Sequence, residues 1–162
     1  MTGKLLRTFN DPTVTGRDVF GFSVALDGNN VLIGAPLDDT LGTNVGQAHL
    51  FNAVTGKLLR TFNDPTVTGR DQFGISVALD GNNVLIGASR DNTLGTAVGQ
   101  AHLFDALSGN LLSTFNDPTP TQVDEFGDSV ALDGNNVLIG APLDDTLGTD
   151  VGQAHLFTIP ER

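Results

Sequence analysis

A segment beginning at Asp18, DVFGFSVALDGNNVLIGAP, returns at Asp71 as DQFGISVALDGNNVLIGAS and at Asp124 as DEFGDSVALDGNNVLIGAP. The two offsets are equal, 71 − 18 = 53 and 124 − 71 = 53. The residues between these segments match as well, so the chain is three copies of one unit, 2–54, 55–107 and 108–160, in a single repeat domain spanning 1–162. Tandem copies this similar constrain the fold more than any motif does. One unit must pack against itself, in the same way each time.

Each unit reads as four short strands. Lys4 to Phe9 (KLLRTF) is an apolar run with flanking charge, suited to an outer strand, and Asn10 to Arg17 is turn chemistry around Asp-Pro and Gly16. Phe20 to Leu26 is β-branched and aromatic and predicts a strand. Asp27-Gly28-Asn29-Asn30 predicts a tight hairpin, because Gly and Asn tolerate positive φ. Val31 to Ala35 is apolar throughout, as expected of a strand buried on both faces. Pro36 ends it, Leu37 to Gly46 forms a longer loop, and Gln47 to Phe51 is a third strand leading into the next outer strand, Lys57 to Phe62. No helical periodicity interrupts the pattern. The fold class is all-β.

Charge narrows the partners. Nineteen acids against eight bases give a net charge of −11, which argues against nucleic acid and against an anionic membrane surface. No run approaches the roughly 18 apolar residues of a spanning helix. Cysteine is absent, so neither disulfides nor thiol chemistry are available. The N-terminus lacks a signal-peptide layout and starts inside the repeat, as a fragment or an engineered piece of a longer array would.

The repeated DxFGxSVALDGNNVLIGAPxDD followed by GxxxGQAHLF resembles the bacterial FG-GAP repeat, named for its Phe-Gly and Gly-Ala-Pro elements. Phe20-Gly21, Phe73-Gly74 and Phe126-Gly127 match the first element; Gly34-Ala35-Pro36 and Gly140-Ala141-Pro142 match the second, whereas Gly87-Ala88-Ser89 departs at its last residue. The resemblance implies four-stranded antiparallel β-propeller blades, related to the integrin α-subunit head and usual in secreted or surface proteins. Integrin-type blades hold calcium on a DxDxDG hairpin. Here the hairpin is Asp27-Gly28-Asn29-Asn30, with one carboxylate, so that calcium site is not carried over.

Three blades fall short of the about four to eight that close a ring. Because the chain opens with an outer strand and finishes with an inner three-strand set, residues 4–9 are expected to complete the last blade of a partner chain. Two chains then make a six-bladed ring of 3 + 3 repeats with two-fold symmetry, and a nine-bladed trimer comes next. Lys4, Leu5, Leu6 and Phe9 would meet Gln153, His155 and Phe157 across this homodimer interface. A β-trefoil also holds three four-stranded repeats and closes within one chain, but its lectin members show an aromatic sugar-binding pattern and this chain has no Trp or Tyr. The FG-GAP resemblance decides for the propeller.

Two loop classes, Asn10 to Asp18 and Pro36 to Gly46, share one face of such a ring and collect the acids. The candidate cation ligands are Asp38, Asp39 and Asn44, with Asp144, Asp145 and Asp150; the middle copy, Asp91, Asn92 and Ala97, is less acidic. The plainer reading, Asp and Asn capping turns through their own backbone, is preferred. No cofactor is expected, and calcium is the ion those loops would suit. His49, His102 and His155 occupy one position of the third strand, one per blade, too far apart to converge on one zinc ion, and read as structural. No nucleophile stands beside a base, and no enzyme is expected. The function reading is a non-catalytic, self-assembling propeller scaffold closed by strand exchange; the alternative is an extracellular ligand-binding or adhesion module, taking calcium or sugar on the acidic loop face.

Overall fold

Repetition of an apolar strand, a Gly-Asn turn and a second apolar strand produces three antiparallel sheets in the computed structural model, which describes residues 2–159; Met1 and residues 160–162, including the last position of the third repeat, lie outside. The first sheet runs β1 (Ser23–Asp27), β2 (Asn30–Ala35), β3 (Gln47–Asn52), β4 (Leu58–Asn63). The middle sheet is β5 (Ser76–Asp80), β6 (Asn83–Ala88), β7 (Gln100–Asp105), β8 (Leu111–Asn116). The last has three strands, β9 (Ser129–Asp133), β10 (Asn136–Ala141) and β11 (Gln153–Thr158). No helix occurs among the described residues, and the separate sheets are not the arrangement of a β-trefoil.

Local chemistry explains the strand limits. Asp27 pairs with Asn30, leaving Gly28-Asn29 as a two-residue turn with Gly28 at φ 53°. The first strand starts at Ser23 rather than Phe20, because Phe20 and Gly21 lie in a turn: the Gly21 N–H bonds Gly34 O, and Phe22 N–H bonds Val19 O. Each outer strand belongs by sequence to the following repeat. β4 lies in the second repeat yet closes the first sheet, and β8 lies in the third yet closes the middle one.

The sheets stack face to face, with β5 of the middle sheet beside β1 and β9 beside β5. Leu32, Ala48, Leu50 and Phe62 of the first sheet meet Val77, Val84, Ile86 and Phe104 of the middle one. Leu85, Ala101, Leu103 and Phe115 repeat this against Val137, Ile139 and Phe157. A Cβ on Gly34 would lie 2.0 Å from Gly74 O, and one on Gly87 1.9 Å from Gly127 O. Glycine is therefore required at these two positions so that adjacent sheets can touch backbone to backbone.

Lys4 to Phe9, expected as a strand, has no ladder partner among the described residues and forms none. A strand needs a neighbour to hold its backbone bonds. Leu5 and Leu6 are 77% and 86% exposed.

Candidate functional site

Two kinds of site emerge: the seam between sheets, and an acid-lined pocket within each repeat. The seam is built from residues that every copy carries. Ser23 Oγ donates to Gly74 O at 2.8 Å and Ser76 Oγ to Gly127 O at 2.6 Å. The Gly81 N–H donates to Asp27 Oδ2 at 2.8 Å, as the Gly134 N–H does to Asp80 Oδ2 at 2.7 Å. Phe73 N bonds Val45 O and Phe126 N bonds Val98 O, both at 2.8 Å. Outer strands cross the seam too. Arg60 of β4 donates to the carbonyls of Ala106 and Leu107, while Phe62 stacks on Phe104 with ring centroids 5.2 Å apart.

The segment 4–9 makes the same cross-seam contacts although it lacks its sheet. Arg7 donates to the carbonyls of Ala53 and Val54, and the Phe9 ring packs tilted against Phe51 with centroids 5.2 Å apart. Its backbone thus lies where the outer strand of a preceding sheet belongs. At the far end, β11 pairs only with β10 among the described residues. Gln153, His155 and Phe157 are half-buried, Ala154 and Leu156 are exposed, and Phe157 is already engaged with Phe115 and Phe126 of its own chain. A shallow apolar cleft on the outer face of this last sheet is lined by Ala131, Leu132, Leu138 and Leu156.

Within each repeat, the Asp-Pro-Thr turn and the Asp after the second strand meet the third-strand histidine. Asp11, Asp38 and His49 present ligand atoms within 4.8 Å of one another, and so do Asp117, Asp144 and His155. In the middle copy Asp64, Asp71 and Asp91 gather equally closely, and His102 Nε2 lies 4.0 Å from Asp64 Oδ1. The histidine is oriented from the outer strand: Nδ1 is 3.1 Å from Thr61 Oγ1 in His49, and 3.1 Å from Thr114 Oγ1 in His102.

Donors are scarce in these pockets. The Thr66 hydroxyl has one proton and faces three acceptors, Asp64 Oδ1, Asp91 Oδ2 and Gln100 Oε1, at 3.2, 3.1 and 3.0 Å. Thr13 faces the equivalent three at 3.3, 3.0 and 2.9 Å. Nε2 of His49, His102 and His155 and Oδ2 of Asp11, Asp64 and Asp117 are left without any hydrogen-bond partner. Burial pushes the Asp64 carboxyl up to about 6 and the His102 imidazole down to about 4. Asp91 and Asp117 are also raised by burial, and His49 is lowered by it against the pull of Asp11 and Asp38. Asp18 differs: burial raises it, but donors from Thr15 and Gly16 prevail and hold it below the ordinary value.

Of the residues singled out from sequence, Asp38 and Asp144 enter these clusters, as do Asp91 of the middle loop and His155, which was expected at the interface between chains. Asp39 and Asp145 are exposed and cap their own loop, accepting the N–H groups of Asn44 and Asp150 at 2.7 Å each. Asn92 does the same for Ala97 at 2.9 Å, so the weaker acidity of the middle loop leaves its pocket intact. The participation of Asp11, an acid of the same loop face, and of the histidines, which read as structural, goes beyond the candidate ligands. Its signal was present: Asp11, Asp38 and His49 recur at a strict 53-residue offset as Asp64, Asp91, His102 and Asp117, Asp144, His155.

The profile of a family described as FG-GAP repeat matches residues 13–51, 66–104 and 120–157. No curated protein matches the sequence. Among solved structures, the chain is similar to the computationally designed Ika4 protein, at 19% identity and TM-score 0.45, covering 98% of this chain and 100% of that one.

Proposed function

From the premise that the chain belongs to the FG-GAP repeat family, we propose that it is a non-catalytic propeller scaffold that closes by exchanging its leading strand with a second copy. One observation carries this reading. Arg7 and Phe9 already grip the first sheet as Arg60 and Phe62 grip the middle one, while the backbone between them has no ladder partner. The missing partner has the shape of β11, whose outer edge is unpaired.

Equivalence of the seams supplies the details. Ser129 Oγ would donate to Gly21 O of the second copy, and Asp133 would receive its Gly28 N–H. Thr8 of the second copy would hold His155 as Thr61 holds His49. Val24 and Leu26 on one exposed face and Leu138 and Leu156 on the other would cover each other. At about 25 cal/mol per Å2 of apolar area, each such side chain contributes about 1–2 kcal/mol, enough for a stable junction. Leu59, the counterpart of Leu6, stays 44% exposed in a completed sheet, so the outer leucines contribute less than the faces do.

Sedimentation equilibrium tests the proposal. A mass near twice the 16.9 kDa chain is expected, and deletion of residues 1–9 should cause aggregation or loss of cooperative melting. A well-behaved monomer of the full chain, or an unaltered dimer after the deletion, would overturn it.

A further inference from the structure

We infer that each repeat holds one first-row divalent transition-metal ion, between the Asp11, Asp38 and His49 side chains and their copies Asp64, Asp91, His102 and Asp117, Asp144, His155. Carboxylates clustered on loops would not suffice for this. Here the middle cluster is buried, the outer two have one half-buried member each, and all are short of protons. His49 and His102 are fully buried, Asp64 and Asp117 are 6% and 4% exposed, and each contributes an atom without a partner. In the first and middle repeats Thr61 and Thr114 occupy Nδ1, so the free nitrogen is Nε2, the one facing the carboxylates.

A bridging water could satisfy one histidine nitrogen and one carboxylate oxygen, but it would not supply charge. The middle pocket draws Asp64, Asp71 and Asp91 together, and no Lys or Arg lies within ion-pair distance of them; among the described residues the Lys/Arg–acid pair is Arg90 with Glu125. Three acceptors around the single Thr66 proton add to the excess. A cation relieves all of these at once. In the first and third repeats these donor atoms lie no more than 4.8 Å apart, and in the middle one Asp64, Asp71 and Asp91 do, with His102 Nε2 4.0 Å from Asp64; such spacing suits a metal with bonds of about 2.0–2.2 Å after contraction. The donor set selects the metal: one imidazole with carboxylates favours zinc, cobalt or manganese over calcium, which takes oxygen ligands. This site is distinct from the hairpin carboxylate Asp27, which is committed to the seam.

Titration of the unmodified protein with Co2+, Zn2+, Mn2+ and Ca2+ in parallel tests this directly. Co2+ should bind with a visible absorption band, Zn2+ should displace it, and Ca2+ should not. The triple variant H49Q/H102Q/H155Q should lose at least about a hundredfold in Co2+ affinity. The variant D39N/D145N, which gives the outer repeats the Asn already present at position 92, should bind as the parent does. The inference is overturned if the parent binds none of the three transition metals at 1 mM, if it binds Ca2+ alone, or if D39N/D145N weakens binding as much as the histidine variant does. Loss of folding in the histidine variant does not remove the test, because the parent titration stands by itself. All three ligand sets lie within one chain, so a monomer that binds cobalt separates this result from the assembly reading.

Discussion

The middle sheet and its two neighbours carry nearly the same residues and live in different surroundings. Val77 of the middle sheet is 9% exposed, whereas Val24, its copy in the first sheet, is 68% exposed. Leu85 is completely buried, and Leu138, its copy in the last sheet, is 44% exposed. Gly87 meets a backbone carbonyl of the next sheet, whereas Gly140 meets only Ser129 of its own. Burial here is not a property of the strand sequence. It is conferred by the adjoining sheet, and the first and last sheets each lack one.

Paired substitutions break this comparison most severely where charge is introduced. V77D places a carboxylate in a filled seam and should cost about 4 kcal/mol, read as lost stability in urea. V24D should leave the monomer's stability within about 0.5 kcal/mol and abolish the dimer in sedimentation. Equal losses from both would mean that the first sheet's open face is not a docking surface. Next in size, G87A must force two backbones apart and should cost about 2–3 kcal/mol. G140A displaces only the rotatable Ser129 hydroxyl and should spare the monomer, while weakening association against the second copy's Gly21.

A smaller effect sharpens the comparison at the leading segment. R7A removes the intrachain bonds to Ala53 and Val54 that hold the leading segment in place, worth about 1 kcal/mol in each of the two chains; with that segment no longer positioned in advance, the dimer should weaken by up to about thirtyfold in dilution experiments. The equivalent R60A lies between two sheets already packed together in the single chain, so it should lower melting stability and leave the association constant nearly unchanged. Smallest of all is a protonation difference. Below its ordinary value by burial, the His102 imidazole should stay neutral at pH 5 in metal-free protein, checked by its NMR ring shifts. The sign follows from both partners. Around pH 5 the folded pair keeps its one proton on Asp64, raised to about 6, whereas the unfolded chain keeps one on the imidazole. The proton counts match, so this pair adds no pH slope to stability in that window.

Much of the fold was legible because each cue was local. The Gly28-Asn29 turn, the apolar run from Val31 to Ala35 and the stop at Pro36 act within a few residues, and three copies repeated the message. The start of the first strand was misplaced by three residues, since the Phe20-Gly21 turn is fixed by a bond to Gly34 that no local pattern reveals. The pockets were harder to see. Asp11 and His49 stand far apart in sequence and only the fold brings them together; the pairing of β3 with β4 then sets Thr61 behind the imidazole. Asp39 and Asp145 drew notice as adjacent acids, yet their side chains are occupied by their own loop.

The serine-to-carbonyl bond across each seam joins residues that every repeat possesses, so nothing in it records which polypeptide a repeat came from. In the proposed ring, blade number would be set by the angle between neighbouring units, and chain length would decide only how many molecules share the circumference. Two copies fused head to tail into one polypeptide, or six separate single-repeat peptides, would be drawn toward the same circle.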